Sequence, residues 1–313
     1  AAESRGGRGA PDARGRVVAT RDWRFAHEGP VWIPRTGEVF VTSNRLERAD
    51  ESAGALTQRV EMSAVHLSTG EVRAVMPPGE LPMANGACGS GSGDAVVCYQ
   101  GQGDNGGGLA HVDVGTGQHS PLVDRLPCNL SSVGDCGEQA NGSVGTPASS
   151  RCHFNSPNDV CPTNDGSGWW FTDPQYGFRQ KFRWPGDGED GAAPARVYYL
   201  DAATGVVSIA ADCFSQPNGC CASPDGQTVY VTDTAFAVGD GTVDEGAPRA
   251  IYRCGVGERG ALLEPTLVAT VDDGVPDGIK CDVSGALFVG CGDGVRVYDP
   301  DADPSCAHIG TLL

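Results

Sequence analysis

Five segments of this 313-residue chain follow one plan, and this internal repeat constrains the fold more than any other feature. Each segment opens with one polar, oxygen-bearing residue. A glycine-marked turn follows eight to ten residues later, and a short strand-like run comes next. The openings lie 57, 73, 60 and 59 residues apart, and short strands at such a period are typical of β-propeller blades. The opening residues, called the ring residues below, are Glu28, Asn85, Asn158, Asn218 and Asp277.

The rest of each repeat supports an all-β fold. The turns fall at Gly37, Gly93, Gly168, Gly226 and Gly285. The strand-like runs are VFVT at 39–42, AVVCY at 95–99, WWFT at 169–172, VYVT at 229–232 and LFVG at 287–290. The 46 glycines and 21 prolines make up about a fifth of the chain, which excludes a helical bundle. No apolar run reaches the roughly 18 residues that a membrane-spanning helix needs.

The ring residues predict a metal site. The innermost strand of each propeller blade lines the central channel, so residues at one register of successive blades form a ring around the axis. Two carboxylates and three amides offer hard oxygen ligands, which favour Ca²⁺, with Mg²⁺, Mn²⁺ or Zn²⁺ as substitutes. Zn²⁺ suits this set least, because its usual His and Cys spacings are absent. The alternative is that these residues only form turns, where Asn, Asp and Gly are common.

Five motifs, taken together and in order, resemble the gluconolactonase/regucalcin (senescence marker protein) family, and most closely its fungal lactonohydrolase-like members. They are HEGPVW at 27–32, FNSPNDV at 154–160, WFTDPQYG at 170–177, PNG at 217–219 and PDGIK at 276–280. The resemblance implies a six-bladed propeller with one catalytic divalent metal, usually Ca²⁺, at the mouth of the channel. Carried over by position, the metal ligands are Glu28, Asn158, Asn218 and Asp277.

The resemblance further implies hydrolysis of a lactone, such as a sugar lactone or a related cyclic ester. The metal would polarise the ester carbonyl, and Asp277 would act as the base that activates water, with Glu28 as the second candidate. Two alternatives stay open. The same site could hydrolyse other esters or organophosphates, or the chain could be a non-catalytic binding module whose metal only plugs the channel.

Six residues are candidates for substrate contact, because they adjoin the motifs or share their register. They are Asn85, Asp173, Tyr176, Arg179, His27 and His153. Asp173 lies in a Thr-Asp-Pro turn, where a structural role is the more common one. Asp233 has the matching position in the next repeat and is expected to be structural. A structural role is also the usual one for a histidine, and a solvated face is the usual place for an arginine.

The 13 cysteines are expected to be structural. Cys88, Cys161 and Cys221 each follow a ring residue by three positions and are expected to point into the packing between blades. Two pairs with equal spacing, Cys88 with Cys98 and Cys281 with Cys291, are candidates for cross-strand disulfides.

The cysteine count and two glycosylation sequons, at Asn129 and Asn141, favour secretion, with the cytoplasm as the alternative. We expect a flexible tail over residues 1–15 and one propeller domain over 16–313, with a Cys/Ser/Gly-rich insertion at about 128–152. A net charge of −18 argues against nucleic acid and anionic membranes as partners and leaves a small-molecule lactone as the expected one. The oligomeric state and the number of blades, five or six, stay open.

Overall fold

The computed structural model describes residues 17–21, 24–48, 57–127, 130, 153–183 and 192–312. The predicted tail, and all of the predicted insertion except Leu130, lie outside these residues. The described residues form five four-stranded antiparallel sheets and a separate two-stranded hairpin. They also form a four-residue helix, α1 (Tyr176–Arg179), and a short 3-10 turn (Glu258–Gly260). No helix in this part of the chain is long and apolar enough to cross a bilayer.

Each sheet is one blade, and its strands follow one another in chain order. Blade 1 contains β1 (Glu28–Ile33), β2 (Glu38–Thr42), β5 (Met62–His66) and β6 (Val72–Ala74), and the hairpin contains β3 (Leu46–Arg48) and β4 (Thr57–Arg59). Blade 2 contains β7 (Ala84–Gly89), β8 (Ala95–Tyr99), β9 (Gly108–Val112) and β10 (His119–Val123). Blade 3 contains β11 (Val160–Pro162), β12 (Gly168–Asp173), β13 (Arg196–Asp201) and β14 (Val207–Ala211). Blade 4 contains β15 (Pro217–Ala222), β16 (Thr228–Asp233), β17 (Ala250–Gly255) and β18 (Thr266–Thr270). Blade 5 contains β19 (Ile279–Cys281), β20 (Leu287–Cys291), β21 (Gly294–Tyr298) and β22 (His308–Leu312).

The β-propeller predicted from the repeat is confirmed. The first strands of the blades contact one another in succession from β1 to β19 and form the inner layer. Four apolar clusters fill the four spaces between successive blades. A middle blade is therefore covered on both faces, which explains why β8 is apolar and buried at every position. The sixth blade that the resemblance implies is not present among the described residues, so it stays a prediction.

Four of the five predicted turns lie where the repeat places them. Gly37, Gly93, Gly226 and Gly285 all have positive φ, a backbone conformation that favours glycine. The prediction for blade 3 is wrong by two residues. Gly168 is the first residue of β12, and the turn before it uses Gly166, whose φ is 73°.

Threonine hydroxyls tie three of the blades to the inner strand of the next blade. In blades 1, 3 and 4 the threonine near the end of the second strand donates to the backbone carbonyl of the following blade's ring residue. The pairs are Thr42 with Asn85 (3.0 Å), Thr172 with Asn218 (2.5 Å) and Thr232 with Asp277 (2.9 Å). The Thr172 oxygen also accepts the Asp159 N–H at 3.0 Å. One hydroxyl thus holds two inner strands at the level of the ring.

Glycines let the inner strands approach closely at this same level. The Gly86 N–H donates to the Asn158 carbonyl at 2.7 Å. A Cβ atom at Gly86 would lie 2.4 Å from a carboxylate oxygen of Asp159, and one at Gly219 would lie 2.5 Å from the Asp277 carbonyl. Neither distance is tolerable, so glycine is a packing requirement at these two positions.

The cysteine predictions divide. Cys88, Cys161 and Cys221 do lie in the apolar clusters between blades, as expected. The two cross-strand disulfides are wrong, because all four of those cysteines are free thiols. The register gives the reason, since Cys88 faces Val96 and Cys281 faces Leu287 across their strand pairs. Equal spacing in sequence did not place either pair of sulfurs opposite each other.

Replacing Thr172 by valine should lower the free energy of unfolding by about 2 kcal/mol, because a buried carbonyl and a buried N–H lose their partner. Urea denaturation measures this. Thr172→Ser keeps the hydroxyl and should retain most of the stability, and Thr266→Val, at an exposed position of β18, serves as the control. A Thr172→Val protein as stable as the control would contradict this role of the hydroxyl.

Candidate metal and substrate site

The five ring residues come together around one cavity of about 420 Å³. They arrive there one from each blade, because each lies at or just before the inner strand of its own sheet. A volume of this size is within the ordinary range for small-molecule sites. The structure thus assembles the group of residues that the repeat predicts, although they are far apart in sequence.

Three amide oxygens in this cavity lack hydrogen-bond partners. The side-chain oxygens of Asn85, Asn158 and Asn218 are each buried and unpaired. The Asn218 amide nitrogen donates to the Thr234 hydroxyl at 3.4 Å, which leaves its oxygen free to face the cavity. Buried polar atoms nearly always have a partner, so three such oxygens around one cavity indicate that something else binds them.

Two carboxylates and a histidine complete the donor set. His27, Glu28 and Asp277 each place a ligand atom within 4.8 Å of the others. Burial raises the pKa of Glu28 well above its usual range, and the negative charges of Asp277 and Asp159 raise it further. A cation would reverse this effect by favouring the charged carboxylates. Carboxylate and amide oxygens are the donors that Ca²⁺ prefers, so the residues present fit such an ion.

An ion pair that the sequence analysis missed lies beside this site. The Lys280 ammonium is 3.2 Å from one oxygen of Asp159, whose side chain is only 1% exposed. The same oxygen of Asp159 accepts the Cys220 N–H at 3.1 Å, and its other oxygen accepts the Val160 N–H at 2.9 Å. Blades 3, 4 and 5 therefore meet at one carboxylate.

The repeat does contain a signal for this ion pair. Asp159 occupies the position after the ring residue, which is glycine in the other four blades. Lys280 occupies the third position after the ring residue, which is valine or cysteine in the other four. Both departures fall in the inner layer, and together they make the charged pair.

Three of the six predicted substrate contacts line the cavity, and they are Asn85, Tyr176 and His27. The Tyr176 hydroxyl lies 2.5 Å from the Thr234 hydroxyl and donates to the Thr234 carbonyl at 2.9 Å. Tyr176 is therefore held on the wall between blades 3 and 4. Its place fits a residue that orients a bound molecule.

The other three predicted contacts lie away from the cavity. Asp173 is fully buried, and its carboxylate accepts the N–H groups of Asn155 at 2.9 Å and Ser156 at 2.8 Å. The Asp173 carboxylate therefore binds backbone N–H groups and does not contact the cavity, which corrects the expected substrate contact. Asp233 makes the matching pair of bonds to 215–216, as expected for a structural residue.

Arg179 and His153 also need correction. Arg179 lines a separate cleft with Lys181 and residues of the 235–248 segment. His153 packs against Gly106, where a Cβ atom would lie 2.4 Å from its ring nitrogen. Burial lowers the pKa of His153, and the charge of Arg183 lowers it further. Neither residue is part of the cavity wall.

Several cavity residues were not predicted, and most follow the second strand of a blade. They include Ser43, Asn44 and Arg45 after β2, Gln100 after β8 and Thr234 after β16. This position directs the chain over the cavity in each of those blades. A search for polar residues directly after each VFVT-like run would have found them.

The comparison with protein families agrees with this geometry. The model of the SMP-30/Gluconolactonase/LRE-like region matches residues 26–309. The chain belongs to this family. The resemblance drawn from the five motifs is therefore confirmed, and every residue of the cavity except Arg24 falls within the matched region.

Two lactonohydrolases of Aspergillus oryzae are similar to this chain in sequence. One, oryL, is 28% identical over 305 residues, and the match covers 89% of this chain and 59% of oryL. The other, oryH, is 34% identical over 125 residues, and the match covers 35% of this chain and 26% of oryH. The chain therefore spans less than two thirds of either relative.

Solved structures of the family share the fold. A gluconolactonase of Xanthomonas campestris superposes with a TM-score of 0.62 at 27% identity, over 92% of this chain and 78% of that one. A calcium-binding regucalcin of Agrobacterium tumefaciens has a TM-score of 0.58 at 21% identity, over 95% of this chain and 76% of that one. At the identity of the second, the likeness shows the fold alone.

Calcium should stabilise the protein through this site. At 100 times its Kd, Ca²⁺ should raise the free energy of unfolding by about 2.7 kcal/mol, since it binds only the folded state. Chemical denaturation with Ca²⁺, Mg²⁺ and Mn²⁺ in turn measures this and ranks the metals. Glu28→Gln should remove most of the gain, whereas Asp225→Asn, at an exposed turn, should keep it.

The stability of the metal-free protein should also depend on pH through Glu28. Because the pKa of Glu28 is raised on folding, the metal-free protein should lose stability as pH rises from about 4.5 through the raised value. Saturating Ca²⁺ should remove that loss. If addition of Ca²⁺, Mg²⁺ or Mn²⁺ leaves the stability unchanged at every pH above the range in which Glu28 titrates, the metal site is contradicted.

Removing one member of the Lys280–Asp159 pair should be costly. Lys280→Met leaves a buried carboxylate without its cation and should lower the free energy of unfolding by about 3 kcal/mol. Asp159→Asn in the same protein should recover part of that loss, because it removes the unpaired charge. Lys181→Met, which makes the same change at an exposed position, is the control. Losses that simply add in the double variant would show that the two residues are uncoupled.

Proposed function

We propose that the chain is a metal-dependent lactonase, a hydrolase that opens a cyclic ester, and that Ca²⁺ is its metal. One observation carries the proposal: two carboxylates and three unpaired amide oxygens, one from each blade, surround a single cavity. Membership of the family supports the reaction class, because similar proteins are named lactonohydrolase and gluconolactonase. The calcium-binding name of the regucalcin neighbour agrees with the choice of metal.

The ligands proposed for the ion are Glu28, Asn158, Asn218 and Asp277. Asn85 offers a further oxygen on the same wall and suits either the ion or the substrate. A bound divalent cation would polarise the ester carbonyl and stabilise the negative charge that develops on its oxygen. The chain holds these donors on inner strands tied to each other by hydrogen bonds, so little reorganisation is needed on binding.

The remaining chemistry belongs to side chains of the cavity. Asp277 is the proposed general base, which takes a proton from the attacking water as the new carbon–oxygen bond forms. Breaking the ring carbon–oxygen bond then releases an alkoxide oxygen that receives a proton, and the product is a hydroxy acid. Glu28 is the second candidate for the base. His27, which lies within reach of both carboxylates, is suited to pass the proton to solvent.

Other cavity residues would orient the substrate. Tyr176 and Asn85 both line the cavity, and their polar atoms suit the hydroxyl groups of a sugar lactone. Gln100 and Gln180 add further amides to the wall. A wall this polar favours an oxygen-rich ligand over an apolar one.

Asp277→Asn should lower kcat/KM for γ- and δ-lactones by about 10³-fold, because the general base and one ligand charge are lost together. Proton release from a panel of lactones measures this. Chelation of the metal should abolish turnover, and Ca²⁺ should restore it. Arg179→Gln, outside the cavity, should keep the wild-type rate.

Each other outcome selects an alternative. Turnover of aryl or organophosphate esters without turnover of lactones would keep the site and replace the substrate. No turnover of any ester by folded protein that binds Ca²⁺ would leave a binding module. Full activity of Asp277→Asn, or activity that survives chelation, would overturn the mechanism.

A further inference from the structure

The cavity wall next to blade 1 carries positive charge. Arg24 and Arg45 both line it, whereas the chain as a whole has a net charge of −18. Among the cavity residues that the structure describes, the carboxylates are Glu28 and Asp277, which belong to the ring. The cavity therefore has a negative group at the ring and a separate positive wall.

The exposed Arg45 side chain contacts neutral groups. Its guanidinium carbon lies 5.9 Å from the centre of the Phe182 ring, and Phe182 is buried in the cluster between blades 1 and 2. One guanidinium nitrogen is 3.5 Å from the side-chain oxygen of Gln58, which also lines the cavity. Gln58 is in turn fixed at its backbone carbonyl by Gln102 at 2.8 Å.

No described carboxylate forms an ion pair with Arg24 or Arg45, in contrast to Arg35, Arg59, Arg73 and Arg296, which all have acidic partners. Partial burial lowers the pKa of Arg45, since its charge has lost water and gained no carboxylate. A guanidinium with no acidic partner among the described residues, placed on the wall of a binding cavity, is suited to bind an anion.

We propose that the substrate is a lactone that also carries a free carboxylate, and that Arg45, assisted by Arg24, binds this carboxylate. The inference rests on the proposed lactonase function and names its substrate class. The planar fork of a guanidinium matches a carboxylate with two parallel hydrogen bonds. The ester carbonyl would then lie at the ring, and the acidic group would lie toward blade 1. Water opens the ester, so a monoanionic lactone yields a dianionic hydroxy diacid and one proton.

A carboxylate fits this wall better than a phosphate ester. A phosphate carries up to two negative charges and is usually bound by several cations or by a series of backbone N–H groups. Here the described wall offers the guanidinium groups of Arg24 and Arg45. One planar guanidinium fork is sufficient for a carboxylate.

A matched pair of lactones tests the proposal. Glucaro-1,4-lactone differs from glucono-1,4-lactone only in a carboxylate that replaces the terminal hydroxymethyl group. The Ca²⁺-loaded wild-type protein should prefer the acid by at least tenfold in kcat/KM. Arg45→Gln should reduce this preference about 10- to 100-fold, mainly through KM, because a charge-assisted hydrogen bond is lost. Arg45→Lys should keep part of it.

Arg59→Gln is the matched control. Arg59 lies on β4, in the hairpin that follows Arg45. It pairs with Glu61 at 2.9 Å and is not part of the cavity wall. It should keep the wild-type preference. A 6-phosphorylated gluconolactone forms the third arm, and a stronger preference for it than for the glucarolactone would overturn the assignment to a carboxylate.

The outcomes separate this inference from the function it rests on. Turnover of both lactones with a preference that Arg45→Gln does not change would overturn the role of Arg45 and leave the lactonase intact. No turnover of either lactone or of any γ- or δ-lactone in the panel would overturn the lactonase. Calorimetry with glucarate and gluconate then decides the role of Arg45. The wild-type protein should bind glucarate more tightly than gluconate, and Arg45→Gln should lose that difference.

Discussion

The contact between neighbouring inner strands is the constraint on which the rest of this structure depends. At the level of the ring, each inner strand approaches the next so closely that a Cβ atom at Gly86 or Gly219 would not fit. The backbone carbonyls of Asn85, Asn218 and Asp277 are each bound by a threonine of the preceding blade. With the backbone committed in this way, the side chains of the ring residues are left for the cavity.

The electrostatics of the site follow from that arrangement. Carboxylates that no blade could keep close together by itself are brought together by the inner strands of separate blades. Burial raises the pKa of Glu28, and the repulsion between the carboxylates raises it further, so the same place attracts a cation. The Asp159 carboxylate beside them already has a cation within the protein, which is Lys280.

Periodicity explains what could be predicted from the sequence. The blades, the ring residues and the packing cysteines all repeat at fixed offsets, so one pattern placed them in three dimensions. The departures from prediction depend on single contacts instead. Asp173 accepts backbone N–H groups and does not line the cavity, and the two hydrogen bonds decide between the roles that its turn left open. The repeat marks the positions of Lys280 and Arg45 but does not say what they contact. Lys280 meets a residue two blades away, and Arg45 extends to the cavity from the loop after β2.

The distribution of the ring residues also has a consequence for biosynthesis. The ring runs from position 28 to position 277, so a growing chain carries an incomplete set of ligands until its last described blade has left the ribosome. Contacts this distant in sequence form slowly, because a long loop must close before they contribute. An ion that binds all of these ligands at once would recognise only the finished ring. Binding of the ion would then follow the assembly of the last described blade.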